Sequence, residues 1–207
     1  ETKLAKYISH VCEQKKIPCF GILGNLILNF SKLLNQKATH TPSAQHVLDG
    51  EYYKRIEAIQ FSMSHDDGMK TEDVRNADII LLGVSRTSKT PTSIYLANRG
   101  YKTLNIPLVT GQEIPEVLKK EPDNFCVIGL TVEPSRLSDI RSNRLEIMKE
   151  VNIPNYSDLE FIKDEIDNSK KLFKKYGWPM IDVTRKSVEE TAASVIKILE
   201  IKKRKKQ

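Results

Sequence analysis

The sequence predicts an α/β fold: a mostly parallel sheet flanked by helices, with a helical N-terminal segment ahead of it. Three observations carry that expectation. Short apolar runs alternate with stretches of helical periodicity from residue 77 to residue 201, the succession expected of βαβ units. Ile79, Ile80, Leu81 and Leu82 form an unbroken apolar run, as in a strand covered on both faces. Directly after it, Gly83-Val84-Ser85-Arg86-Thr87-Ser88-Lys89-Thr90 follows the phosphate-loop pattern G-x-x-x-x-G-K-(S/T), with Ser88 in place of the second glycine. Strand, loop and helix start stand in the order of a P-loop, so the sheet is read as P-loop kinase-like.

Ahead of the sheet, Leu4, Tyr7, Ile8 and Val11 mark a helical stripe over 2–16, and Ile17 to Phe20 reads as a short strand. Leu26, Ile27, Phe30, Leu33 and Leu34 repeat the helical period over 24–35, and a polar, proline-bearing loop is expected at 39–43. A further helix over 48–65 ends at His65-Asp66-Asp67-Gly68. Pro91 suits the first turn of the helix after the phosphate loop, and Gly100 suits its end. Strands are expected at 102–109, 125–130 and 178–183, with a short helix at 114–120 and a longer one from 134 to about 148. Ser157-x-x-Glu160 and Ser187-x-x-Glu190 read as capping boxes opening two more helices. The organisation is one compact domain: a helical segment, 1–70, a P-loop core, 71–201, and a basic tail, 202–207. The chain opens on Glu1 and runs straight into helix-like sequence, so an N-terminal part is expected to be missing.

Composition excludes several classes. With 207 residues, 39% hydrophobic and 29% charged, the chain is long enough for one sizeable core and ordinary for a globular protein. No apolar run approaches membrane-spanning length and no signal-peptide pattern opens the chain, which argues against a membrane partner. Cys12, Cys19 and Cys126 lack C-x-x-C spacing, so neither a zinc site nor a disulfide framework is expected, and the cytoplasm is the expected location. The net charge of +6 gathers partly in the run 202–206, read as a solvated, frayed tail. That run lacks interleaved aromatics, so nucleic acid is not an expected partner. A homodimer is left open, since no motif encodes the oligomeric state.

The phosphate loop has a direct physical meaning. Unpaired N–H groups at a helix start attract phosphate oxygens, so residues 83–90 form a nucleotide-phosphate cradle. Lys89 adds a full charge, Thr90 a hydroxyl for a magnesium ion, and Arg86 a bidentate contact. Ser88 restricts the backbone where glycine would be free, so a differently shaped loop is expected. Asp66 and Asp67 have two readings. They can hold magnesium or take a proton from an attacking hydroxyl, with Asp66 the metal candidate, or they simply form an Asp-Gly turn. Arg136, Arg141 and Arg144 on the helix after the third strand, with Lys186 at the last strand-to-helix turn, are candidates for a second phosphate. Arg141 and Arg144 are expected to share a helix face. A basic solvated face explains the arginines equally well.

The run GVSRTSKTPTSIYLANRGYKTLNIPLV closely resembles the pyruvate, phosphate dikinase regulatory proteins. So do HDDG before it, and GLTVEPSRLSDIRSNRL and IDVTRKSVEETA after it. The resemblance covers nearly the whole chain, and Ser88 is in keeping with the dikinase branch; the sister branch, acting on phosphoenolpyruvate synthase, usually writes glycine there. It implies a bifunctional enzyme whose protein partner is pyruvate, phosphate dikinase. One activity phosphorylates an active-site threonine with ADP as donor. The other removes that phosphate with inorganic phosphate, releasing pyrophosphate. The resemblance implies that ADP is the donor; in-line transfer then needs a cradle, for which 83–90 stands, a charge, for which Lys89 stands, and a carboxylate, for which Asp66 or Asp67 is the candidate. The rivals are a P-loop small-molecule kinase, for which Asp182 is the one strand-end aspartate on offer, and a basic nucleic-acid module.

Overall fold

The computed structural model describes residues 3–37, 49–109, 111–148 and 155–205. Contacts gather the chain into two units, Glu1–Leu48 and Asp49–Gln207. In the first, α1 (Lys3–Gln14) and α2 (Ile22–Leu33) lie where the helical stripes put them, and neither buries a side chain. The strand expected at 17–20 is not formed; these residues are irregular. The Ile17 N–H instead bonds the Cys12 carbonyl at 2.8 Å, behind a left-handed Lys16 (φ 52°). The amide that a strand would use closes the helix end. The loop expected at 39–43 lies outside the described residues.

The second unit opens with α3 (Gly50–Ser64), capped by the Asp49 carboxylate, which accepts the Tyr52 N–H at 2.8 Å. A polar corner and an unanticipated 3₁₀ helix, Thr71–Asn76, lead into the sheet. Its strands are β1 (Ile79–Gly83), β2 (Thr103–Pro107), β3 (Val127–Thr131) and β4 (Met180–Asp182). All pair in parallel, in the order β2-β1-β3-β4. The crossovers are α4 (Lys89–Ala97), α5 (Glu116–Lys120), and the pair α6 (Pro134–Met148) and α7 (Leu159–Lys175); α8 (Val188–Lys205) follows β4. Parallel strands with helical crossovers are the α/β, P-loop kinase-like arrangement expected.

Every residue of β1 is buried, and its side chains alternate between two cores. Ile79 and Leu81 pack with Leu96 of α4 and Val195 of α8. Ile80 and Leu82 pack with Leu104, Leu118 of α5, Phe173 of α7 and Trp178. The chain steps from β1 to β2 on one side and returns to β3 on the other. The carboxyl ends of β1 and β3 therefore flank the reversal of strand order, where open α/β sheets bind ligands.

On its outer side β2 meets the segment that precedes the sheet. The Thr103 N–H bonds Ser62 Oγ at 3.0 Å, and the Asn105 N–H bonds the His65 carbonyl at 3.1 Å. The Gly68 N–H returns to the Asn105 carbonyl at 2.9 Å. The next outward position, Pro107, carries no N–H.

The helix starts are resolved by local polar groups. Ser187 and Glu190 form the expected box: the Glu190 N–H donates to Ser187 Oγ at 3.1 Å and the Ser187 N–H to Glu190 Oε2 at 2.8 Å. At α7 the cap falls one residue beyond the expected Ser157, on Asp158, whose carboxylate accepts the Phe161 N–H at 2.9 Å. The stronger acceptor takes the position. The expected frayed tail is also corrected: residues 202–205 continue α8, and Lys202 donates to the Phe125 carbonyl.

Gly129 of β3 lies against the Phe173 ring, and a Cβ built there would fall 2.5 Å from its carbons. Gly129→Ala is expected to lower the unfolding free energy by about 1–3 kcal/mol in a urea titration. Phe173→Leu in the same chain should recover part of that loss; an unchanged midpoint in the single variant would contradict the packing account.

Candidate active site

The strand β1 delivers the loop 83–90 to the switch point, and the loop's shape follows from small residues and internal bonds. A Cβ on Gly83 would sit 2.7 Å from Thr87 Oγ1 and 2.8 Å from the Leu130 carbonyl, so only glycine fits. Thr87, fully buried, donates its hydroxyl to the Val84 carbonyl at 3.0 Å. Arg86 (φ 72°) and Ser88 (φ 58°) both take left-handed backbone. Ser88 thus occupies a conformation that favours glycine, at a cost of roughly 1 kcal/mol.

Lys89, the first residue of α4, is 6% exposed and donates its ammonium to the Val84 carbonyl at 2.9 Å. Burial pushes its pKa down to about 8; the carboxylates of Asp67 and Asp66 resist, and the charges of Arg141 and Arg86 add to the fall. An ammonium kept out of water and held by one carbonyl is a strong anion receptor at a helix N-terminus.

The corner 65–68 is both a turn and a placed pair of acids. Asp67 (φ 50°) and Gly68 (φ 78°) are left-handed, as an Asp-Gly turn requires. The same turn brings Asp66 against the loop, where its Oδ1 accepts the Thr90 hydroxyl at 3.1 Å. Asn105, wholly buried in β2, donates its amide to Asp66 Oδ1 and, at 3.2 Å, to Thr90 Oγ1. Asp67 stays exposed, and its charge acts on Lys89. Behind the corner, His65 is buried, stacks on Phe61 with centroids 3.8 Å apart, and meets Asp73 at 3.0 Å.

The candidate second-phosphate residues divide among three environments. Arg141 is 1% exposed and faces the loop from α6. It donates to Glu165 Oε2 at 2.8 Å, to the Tyr156 carbonyl at 3.0 Å and to the Ser85 carbonyl at 3.3 Å, with its guanidinium 4.7 Å from the Tyr156 ring centroid. Arg144 is exposed, so the two do not share an environment despite their spacing. Arg136 and Lys186 line adjoining clefts at the carboxyl ends of β3 and β4, both of which include Glu133, Thr184 and Arg185. The Lys186 cleft encloses about 550 Å³. There Asp182 accepts the Thr184 N–H at 2.9 Å and the Thr184 hydroxyl, and these bonds hold its carboxyl below the usual range. Asp182 shapes the β4 turn.

Tyr156 escaped the sequence reading. Its hydroxyl lies 3.4 Å from Ser85 Oγ and accepts from Arg86 Nε at 3.4 Å. Burial pushes the phenol up, but the Ser85 and Arg86 bonds and the charges of Arg86 and Arg141 outweigh it and leave the pKa below its ordinary value. Asn105 was missed as well, although a lone amide in an apolar strand is a usable signal: a buried amide needs partners.

Lys89 should leave a pH signature in stability. Its proton leaves near pH 8 in the folded protein, against 10.5 for the free side chain. Between those values the unfolded chain holds more protons, so the native state gains stability as pH rises across the window. Relative to Lys89→Met, the wild type is expected to gain up to roughly 3 kcal/mol between pH 8 and 10.5, with a constant difference below pH 8. Denaturant titrations at each pH check this, and a flat difference would contradict the buried charge.

Comparison with known proteins adds a family. The kinase/pyrophosphorylase family model matches residues 1–196. A protein of Pelagibacter ubique (strain HTCC1062) is 68% identical over 203 residues, covering 98% of this chain and 74% of its own length. One of Bartonella bacilliformis is 44% identical over 199 residues, 96% of this chain and 71% of its own. One of Rhodopseudomonas palustris (strain BisB18) is 44% identical over 208 residues, all of this chain and 74% of its own. All three carry the name "Putative pyruvate, phosphate dikinase regulatory protein".

Proposed function

Because the chain belongs to the kinase/pyrophosphorylase family, we propose that it switches pyruvate, phosphate dikinase off and on by adding and removing a phosphate on an active-site threonine. The names of its relatives support the dikinase, rather than the synthase, as target. ADP as donor and inorganic phosphate as co-substrate follow from the resemblance in the loop block. The observation that carries the reading is the buried Lys89 ammonium at the α4 N-terminus, flanked by Asp66, Asp67 and Thr90.

The forward reaction moves the β-phosphoryl group of ADP to the threonine hydroxyl. Loop N–H groups and Lys89 hold the phosphates and meet the charge that develops on the transferring oxygens. Asp67, exposed and within electrostatic reach of Lys89, orients the hydroxyl and takes its proton; the new bond is threonine oxygen to phosphorus, and AMP leaves. In the reverse direction an oxygen of inorganic phosphate attacks the phosphothreonine phosphorus, pyrophosphate forms, and the threonine oxygen regains a proton from Asp67. The clefts beside Arg136 and Lys186 offer cations for the incoming phosphate. Arg141, bonded to Glu165 and two carbonyls, one of them in the loop, holds the loop instead.

The donor chemistry here suits magnesium: the Thr90 hydroxyl and the half-buried Asp66 carboxylate are hard oxygens in contact at a phosphate loop. Bound there, the ion would neutralise phosphate charge.

The deciding experiment offers dikinase either β-labelled ADP or γ-labelled ATP. Label on threonine from ADP is expected; label from ATP alone would refute the donor. Lys89→Ala should cut both transfer and phosphorolysis by about 10²–10³-fold, because both use one phosphate site. Asp67→Asn should slow threonine phosphorylation by about 10²-fold or more while ADP affinity holds. If affinity falls in parallel, Asp67 is not the base.

A further inference from the structure

We propose that Asn105 is a positioning residue that locks Asp66 and Thr90 into one oxygen pair facing the cation of a magnesium–nucleoside diphosphate complex. The inference rests on the reading of 83–90 as a nucleotide site, and it concerns how that site selects the metal-bound form of its ligand.

Asn105 is the single wholly buried amide side chain among the described residues of the strands. Nothing in the packing of β2 calls for it: its neighbours Leu104 and Ile106 are apolar, and its register partner on β1 is Leu81. A polar group of this kind persists in a core when it makes bonds that an apolar side chain cannot. Four bonds tie it to the loop and the corner. The side-chain nitrogen reaches Asp66 Oδ1 and Thr90 Oγ1, while the backbone bonds His65 on one side and Gly68 on the other. One residue thereby fixes the corner's path and the direction of its first carboxylate.

The orientation of the amide is dictated by chemistry. An ionised carboxylate only accepts, so the nitrogen must face Asp66; the flipped amide would set oxygen against oxygen. Thr90 completes the ring, donating to Asp66 and accepting from Asn105. This arrangement leaves Asn105 Oδ1 buried without a hydrogen-bond partner. The protein thus keeps an unpaired acceptor in order to hold the nitrogen where it is. With its proton committed to Asp66, the exposed Thr90 keeps a lone pair on Oγ1 for a further partner, and both bonds that the Asp66 carboxylate accepts here fall on Oδ1, which leaves Oδ2 to a cation. Both are the hard oxygen donors that magnesium takes together with nucleotide phosphates and water.

The test measures ADP binding by titration calorimetry, with and without magnesium chloride, in wild type, Asn105→Leu and Asn105→Ser. The leucine variant preserves bulk, and the serine variant provides a gentler change should leucine impair folding, which a thermal melt checks. Wild type is expected to bind ADP more tightly with magnesium. The variants should lose about 10–100-fold of that magnesium-dependent gain while metal-free ADP affinity stays within about threefold, since Lys89 and the Thr87–Val84 bond that shapes the loop do not involve Asn105. In an Asp66→Asn background the Asn105 substitutions should add nothing, because both act through one carboxylate. A folded Asn105 variant with the full magnesium gain overturns the proposal, as does an undiminished Asn105 effect in the Asp66→Asn background. Wild type that shows the magnesium gain yet transfers no phosphate to dikinase defeats the proposed activity and leaves Asn105 in its role. Wild type that binds no ADP defeats both.

Discussion

An ammonium group shut away from water is the constraint around which this protein is built. Lys89 sits at the base of the loop with a carbonyl for company, its charge maintained against burial by two nearby carboxylates. In a medium of low polarity such a charge favours any anion that can reach it, and the first turn of α4 offers N–H groups in the same direction. The surroundings answer to that demand. Gly83 lets the chain turn without a side chain, Thr87 ties the loop back on itself, and two left-handed residues complete the curve.

The loop is fastened on two sides by groups far away in the chain. From α6, the buried Arg141 grips the Ser85 carbonyl and the Tyr156 carbonyl while pairing with Glu165 of α7. From β2, Asn105 fastens Thr90 and Asp66. The loop therefore reports on both halves of the sheet, and a shift in α6 or in the corner reaches residues 83–90 through one or two hydrogen bonds. Arg141 illustrates how a cation near the proposed phosphate site can serve the backbone instead of a ligand. Its Nη1 and Nη2 nitrogens bond two carbonyls and a carboxylate, while its buried Nε has no hydrogen-bond partner.

What was legible in the sequence was local. The β1 run, the loop after it, the Ser187–Glu190 box and the glycine ending α4 each depend on neighbours within a few residues, and each is realised. Asn105, Tyr156 and the task of Arg141 were hidden because their partners lie between 15 and 71 positions away. Spacing placed Arg141 and Arg144 on one helix, but which side chain the core would swallow depended on α7, supplied later in the chain. The corner 65–68 was ambiguous for another reason: a turn and a pair of placed acids have the same local sequence, and only β2 distinguishes them. At 17–20 an apolar tetrapeptide resembled a strand because the sequence does not reveal that its first amide closes a helix.

The outward edge of β2 carries a consequence beyond catalysis. An open sheet edge invites another chain to add a strand, and aggregation begins at such edges. Here α3 and the acidic corner cover that margin, amide by amide, and proline finishes it. The carboxylates of the site are thus mounted on the protein's own edge guard. The proposed chemistry and the protection of this edge therefore rest on the same residues, 62–68: a change that loosened the corner would also uncover a template for self-association.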